Sequence, residues 1–144
     1  MPHPCLTCGA CCAHYRVRMH WMETDAAGGL VPHASTEPVS PHEVAMRGTW
    51  EASPRCIALD ADIGRYSRCT IHALRPQPCR DVLASWEHGQ ASAQCDKARL
   101  AHGLPALTAA DWITPKIEVV VVDAIDLADT PSPLPSMPVA RLRA

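Results

Sequence analysis

Between Tyr15 and Trp21 apolar and polar side chains alternate: Tyr15, Val17, Met19 and Trp21 interleave with Arg16, Arg18 and His20, which is strand periodicity with one half-buried face. The next twenty residues, ETDAAGGLVPHASTEPVSPH from 23 to 42, are rich in Gly, Pro, Ser and Thr and read as an excursion with little regular structure. Val44 to Met46 forms a short apolar run, a candidate strand. Arg55–Leu59 and Arg68–His72 flank DADIGRYS, so the pattern predicts two short strands around a turn at Gly64, with Cys56 and Cys69 on paired strands. In RPQPCRDVLASWEH, Pro76 and Pro78 stand just ahead of a helical pattern, which places Cys79 in a first turn. A second helical pattern runs from Gln94 to His102, carries Cys95 and closes at Gly103; a third opens at Thr108 and leads to Trp112. From Thr130 the chain reads TPSPLPSMPVARLRA, a Pro-rich tail with no packing pattern.

These elements predict an α+β class: a small, metal-stabilised, loop-rich single domain with a few short strands and two or three short helices. It is expected over residues 1–113, with a C-terminal extension over 114–144. Composition sharpens the picture. The 144 residues include no Phe, two Tyr and four Trp against fourteen Pro and eight Cys, so the core is thin and needs another source of cohesion. A formal charge of −2, with Lys97 and Lys116 as the only lysines, lacks the cationic footprint that holds nucleic acid. The N-terminus runs straight into cysteines without a basic start and apolar stretch, and the longest apolar run, Val119 to Val122, is far too short to cross a bilayer. The expectation is a cytoplasmic protein with no membrane and no nucleic-acid partner.

In a reducing compartment eight cysteines argue for metal ligation over a disulfide framework. Four of them, Cys5, Cys8, Cys11 and Cys12, fall within eight positions. The Cys5-x2-Cys8-x2-Cys11 spacing lets one short loop turn three thiolates toward a common centre, as zinc and iron–sulfur loops do, and Gly9 supplies the positive φ such a turn needs. No second CxxC is present to complete a zinc ribbon.

The run CLTCGACC, an isolated Cys56, and then Cys69-Thr-Ile-His-Ala-Leu-Arg75-Pro76-Gln-Pro-Cys79-Arg80 resembles the CxxCxxCC proteins, described as zinc- or iron-chelating and also called YkgJ-type cysteine-cluster proteins. GGLVP, MRGT before Trp50, WEHG, Cys95-Asp96 and HGLPALT extend the resemblance over residues 3–113. His72 departs from the pattern, where Tyr is more usual. The resemblance implies metal binding, and the larger flagellin lysine N-methylases share the cysteine pattern. It implies no settled activity for the small members.

Four thiolates around zinc or a four-iron cluster leave a net charge near −2 that must be compensated if buried. Arg75 and Arg80, flanking Cys79, are the candidates for that role, and Arg16 lies on the strand nearby. Adjacent residues on an extended chain point apart, so Cys11 and Cys12 do not readily serve one small metal. We expect a single main centre with Cys5, Cys8, Cys69 and Cys79 and either Cys11 or Cys12, leaving Cys56 and Cys95 for a second site; two four-thiolate zinc sites fit the same count. The spacing with a remote cysteine after a proline tilts the choice toward an iron–sulfur cluster, 4Fe-4S, over zinc. His3, His14 and His72 lie close enough in sequence to donate, but without an H-x3-5-H pairing they read as surface or core histidines. No carboxylate has a partner His or nucleophile that would mark catalysis. Three functions follow: a metal- or cluster-binding protein for electron transfer, redox sensing or metal carriage; an accessory or enzyme of the flagellin lysine N-methylase type; or a structural zinc module with a protein partner at its Pro-rich tail.

Overall fold

A computed structural model of the chain describes residues 3–113. The expected Pro-rich tail and the valine run at 119–122 lie outside them. One sheet is built from β1 (Arg18–His20), β2 (Thr36–Ser40) and β3 (Glu43–Met46), antiparallel in the order β1-β3-β2. Met19 stands opposite Val44 and Thr36 opposite Met46. Val17, Met19, Val44 and Met46 are all buried on this sheet, and with Val31, Cys56 and Ala58 they form the largest apolar cluster. The predicted alternation holds for Val17 and Met19; Trp21 has left the strand for a short 3-10 turn over Trp21–Glu23 and is 43 % exposed. Thr49, fully buried, ties the sheet together: its hydroxyl donates to the Met46 carbonyl at 2.7 Å and accepts the Val17 N–H at 3.2 Å.

The excursion at 23–42 is more regular than its composition predicts. Its second half is β2, an edge strand, where Pro38 is tolerated because an outward-facing residue need not donate to the ladder. A register irregularity lies between Pro38 and Ser40.

A hairpin pairs β4 (Leu59–Asp62) with β5 (Tyr66–Cys69), and Gly64 sits in its turn at φ 86°. The first strand starts later than predicted. Cys69 pairs with Leu59, whereas Cys56 precedes the strand in a turn closed by Leu59 N–H to the Cys56 carbonyl at 2.9 Å. The helix after Pro76 is also shorter than its pattern: α2 spans Gln77–Asp81, preceded in the cysteine loop by the single turn α1 (Cys5–Cys8). Past α2 the Glu87 carboxylate takes the Ala84 N–H at 3.1 Å and Trp86 adopts φ 68°, so the chain turns instead of continuing. The last helix, α3 (Ala93–Ala101), has Ser92 as N-cap, its hydroxyl accepting the Cys95 N–H, and is followed by Gly103 at φ 71°. A 3-10 turn over Ala109–Trp112 opens at Thr108, which shares a capping box with Asp111. The whole is a small α+β domain. None of the described helices is long and apolar enough to cross a membrane.

Candidate metal centre

The cysteine loop is stitched to the hairpin by two backbone hydrogen bonds. Gly64 N–H donates to the Cys8 carbonyl at 3.1 Å, and Cys56 N–H donates to the Cys12 carbonyl at 2.9 Å. Gly9, left-handed at φ 71°, ends the α1 turn against Ser67, and a 3-10 turn over Cys11–Ala13 follows. Cys12 is thereby brought beside Cys56, while Cys69, at the end of β5, and Cys79, in the first turn of α2, approach from two further segments.

These four cysteines line one cavity of about 80 Å³, together with Val17, Met46, Ile71, Arg75 and Pro76. All eight cysteines are free thiols. Burial pushes the Cys79 thiol up to about 12, with the charges of Cys12, Cys56 and Cys69 acting in the same direction and Arg75 opposing them. Burial likewise pushes Cys12 up to about 11, reinforced first by Cys56 and Cys69 and again opposed by Arg75. Cys56 is raised by burial and by Cys69, against a hydrogen bond from the Ala58 N–H. A thiol held up in this way keeps its proton at neutral pH until a cation replaces it.

Arg75 is the cation at this cavity. Its Nη1 contacts His72 Nε2 at 3.0 Å, while its Nε is buried without a hydrogen-bond partner. A buried guanidinium N–H with no acceptor, beside four sulfurs, fits an anionic occupant such as a thiolate-bound metal or cluster. Arg80 lies on the same turn but faces the backbone: its Nε donates to the Arg75 carbonyl at 3.1 Å and its Nη2 to the Ala73 carbonyl at 2.9 Å. It braces the segment that carries Arg75. Arg16 stacks on Trp50 at 4.9 Å and Arg18 pairs with Glu43 at 3.3 Å, so both are engaged elsewhere.

The other four cysteines stand apart from the cavity. Cys8 and Cys11 pack with Ala10 and Ala98, and Cys95 packs with Ala84 and Leu107. Cys5 is exposed. Cys5 and Cys8 are thus not gathered with Cys69 and Cys79, the grouping expected from spacing; Cys56 joins the latter two instead. Adjacent Cys11 and Cys12 part to different sides, as the geometry of neighbouring residues predicts.

Among the described residues no group of three or more His, Cys, Asp or Glu side chains is arranged to hold a single metal ion. The cavity thiols surround a space rather than a point. None of the three candidate histidines lines the cavity. His3 hydrogen-bonds Glu87 at 3.3 Å and accepts the Cys5 N–H at 3.2 Å, His14 packs edge-on to Tyr15, and His72 serves Arg75. The His72–Arg75 pairing was hidden in the sequence behind an ordinary spacing of three, which a 3-10 turn over His72–Leu74 converts into contact.

A family described as "CxxCxxCC: Putative zinc- or iron-chelating domain" matches residues 4–96, a stretch that contains all eight cysteines. The chain is 45% identical over 105 residues to the "Uncharacterized protein YkgJ" of Escherichia coli O157:H7, a match covering 73% of this chain and 96% of that protein. It is 45% identical over 103 residues to a "Putative ferredoxin" of Acinetobacter calcoaceticus, covering 72% and 77% respectively. No solved structure matches.

Proposed function

This chain belongs to the CxxCxxCC family of zinc- or iron-chelating domains, and we propose that it binds a four-iron iron–sulfur cluster in the cavity lined by Cys12, Cys56, Cys69 and Cys79 and works as a small cytoplasmic electron carrier. Residues 1–113 form the binding domain in this reading, and 114–144 an extension to it.

The observation that carries the reading is the cavity itself. Zinc sits about 2.3 Å from each thiolate sulfur, so four thiolates close around it and leave no room. The volume of about 80 Å³ is several times the ~10–15 Å³ that one water requires. Its thiol lining suits a larger, sulfur-bridged occupant. The relative named as a ferredoxin, identical at 45% of positions, supports the same choice. When bound, such a cluster supplies reversible one-electron transfer.

The chain's own residues prepare the place. Four thiols come from four separate segments, so their convergence also holds the fold together. Arg75 supplies positive charge beside sulfurs that must give up protons, and the Ala58 N–H donates to the Cys56 sulfur. Val17, Met46 and Ile71 keep the opposite wall apolar and dry, which sets the dielectric around any charge placed there.

Anaerobic purification followed by iron, zinc and acid-labile sulfide analysis, with visible and electron paramagnetic resonance spectra before and after dithionite, tests this. Iron and sulfide in equal amounts, a brown colour that bleaches on reduction and a paramagnetic reduced state are expected. Stoichiometric zinc in a colourless protein would overturn the electron-carrier reading and favour a structural zinc module.

A further inference from the structure

We infer that Cys5, Cys8, Cys11 and Cys95 form a second four-thiolate metal centre, separate from the cavity of Cys12, Cys56, Cys69 and Cys79. The helical turn α1 sets Cys5 and Cys8 three residues apart on one side. Gly9 then reverses the chain so that Cys11 begins the next turn, and Cys8 and Cys11 both pack on Ala98 of α3. Cys95 lies three residues before Ala98 and therefore on the same face of that helix.

The helix is fixed against the cysteine loop at both ends. Tyr15 Oη donates to the Gln94 carbonyl at 2.8 Å, and His102 Nε2 contacts the Ala13 carbonyl at 3.1 Å. Cys5 and Cys95 are joined by a second wall as well. His3, which accepts the Cys5 N–H, meets the Trp112 ring edge-on at 5.0 Å, and Trp112 packs against the cluster that contains Cys95.

Chemistry separates this from four incidental cysteines. Buried thiols often serve as small apolar groups, which would account for Cys8 and Cys95 alone. It does not account for exposed Cys5 beside them. Burial pushes Cys11 up to about 12, and the charges of Cys95, Cys8, Cys12 and Cys5 add to it, so these sulfurs act on one another in the absence of a cation. A hydrogen bond from the Ser85 N–H reaches the Cys95 sulfur, a donor that favours its thiolate. The pattern, three closely spaced cysteines plus one remote, with the adjacent Cys12 crossing to the neighbouring set, is how a single run of cysteines serves two centres.

The inference stands independently of what fills the cavity, and native-state thiol labelling separates the two. Full-length protein purified anaerobically with its metal is treated with iodoacetamide and the modified cysteines are mapped by mass spectrometry. Cys5, being exposed, is labelled quickly if free; ligated, it should react on the order of ten-fold more slowly than in chelator-stripped protein. In parallel, Cys95→Ser and Cys79→Ser should each lose about half the bound metal, and the double variant nearly all of it. Equal Cys5 labelling with and without metal overturns the second centre, as does a wild-type metal content in Cys95→Ser. Full metal in Cys79→Ser with loss in Cys95→Ser would instead sink the cavity reading and leave this one standing. Labelling of the wild-type protein decides the matter should either variant fail to fold.

Discussion

Arg75 Nη1 lies 3.0 Å from His72 Nε2. Because a guanidinium only donates, the imidazole accepts through Nε2 and is neutral, with its proton on Nδ1. One side of Arg75 is thereby pinned, its carbonyl is pinned by Arg80, and its Nε is left buried and free beside the thiol-lined cavity. Two residues that look like surface polarity in the sequence thus act to hold one positive charge where four sulfurs converge.

Removing that charge while keeping the bulk should weaken metal retention. We expect Arg75→Leu to lower metal affinity about 10–100-fold, the range found when groups just outside a ligand shell are removed, and Arg75→Lys to restore part of it. Chelator competition on the loaded protein measures this. Wild-type affinity in Arg75→Leu would mean the guanidinium does not compensate the site.

Cys69→Ser and Cys79→Ser should each lose the cavity metal, and with it a cooperative melting transition, because the segments they join are otherwise held by a thin core. A loss on the order of several kcal/mol is expected, since binding energy at such sites is also folding energy. Metal analysis alongside circular dichroism melts checks both halves. A variant that melts like wild type but without metal would separate the fold from the centre.

How much of this was legible in the sequence depends on the range of the interactions. Local signals worked: Gly64 in the hairpin turn, Gly103 after α3 and Thr108 at the last 3-10 turn stand where their backbone preferences place them. β2 was missed because Pro38, Ser and Thr obscure a strand whose place at a sheet edge makes them harmless, and edge or centre is decided by the fold. α2 stops early because Glu87 captures a backbone N–H, a side-chain contact that periodicity does not encode. The division of the eight thiols is likewise tertiary. Spacing joins Cys5 to Cys8, but only the hairpin's register and the docking of α3 assign Cys56 to one set and Cys95 to the other. The resemblance to the CxxCxxCC family is carried by the full cysteine run and needed no structure.

Gly9→Ala tests the turn that separates Cys8 from Cys11. At φ 71° an added Cβ would stand 2.9 Å from Ser67 Oγ and 3.0 Å from Ile63 Cδ1, so strain and crowding act together. The left-handed conformation alone costs about 1–2 kcal/mol for a residue with a side chain. Denaturant melts of the metal-loaded variant should show at least that loss. An unchanged midpoint would show that the loop is free to rearrange.

Alkaline pH should weaken the metal-free protein. Cys5, Cys11 and Cys79 are pushed to about 12 and Cys12 to about 11 from an ordinary value of 9.0. Above pH 9 the unfolded chain releases protons that the folded chain retains, so stability falls as pH rises from about 9 to 12. Below pH 9 both states hold these protons and the thiols contribute no slope. Melting temperatures in chelator from pH 7 to 11 should therefore be flat and then decline, and a rise above pH 9 would contradict the raised thiols. Metal loading replaces these protons, so proton release on reconstitution should accompany it.

X-ray absorption at the metal edge of the anaerobically purified, full-length protein tests most directly whether these sulfurs hold an inorganic centre. A first shell made of sulfur alone, with a second shell of iron near it, is the expected spectrum. A first shell dominated by nitrogen or oxygen, or a folded native protein with no edge signal for iron or zinc, would contradict it.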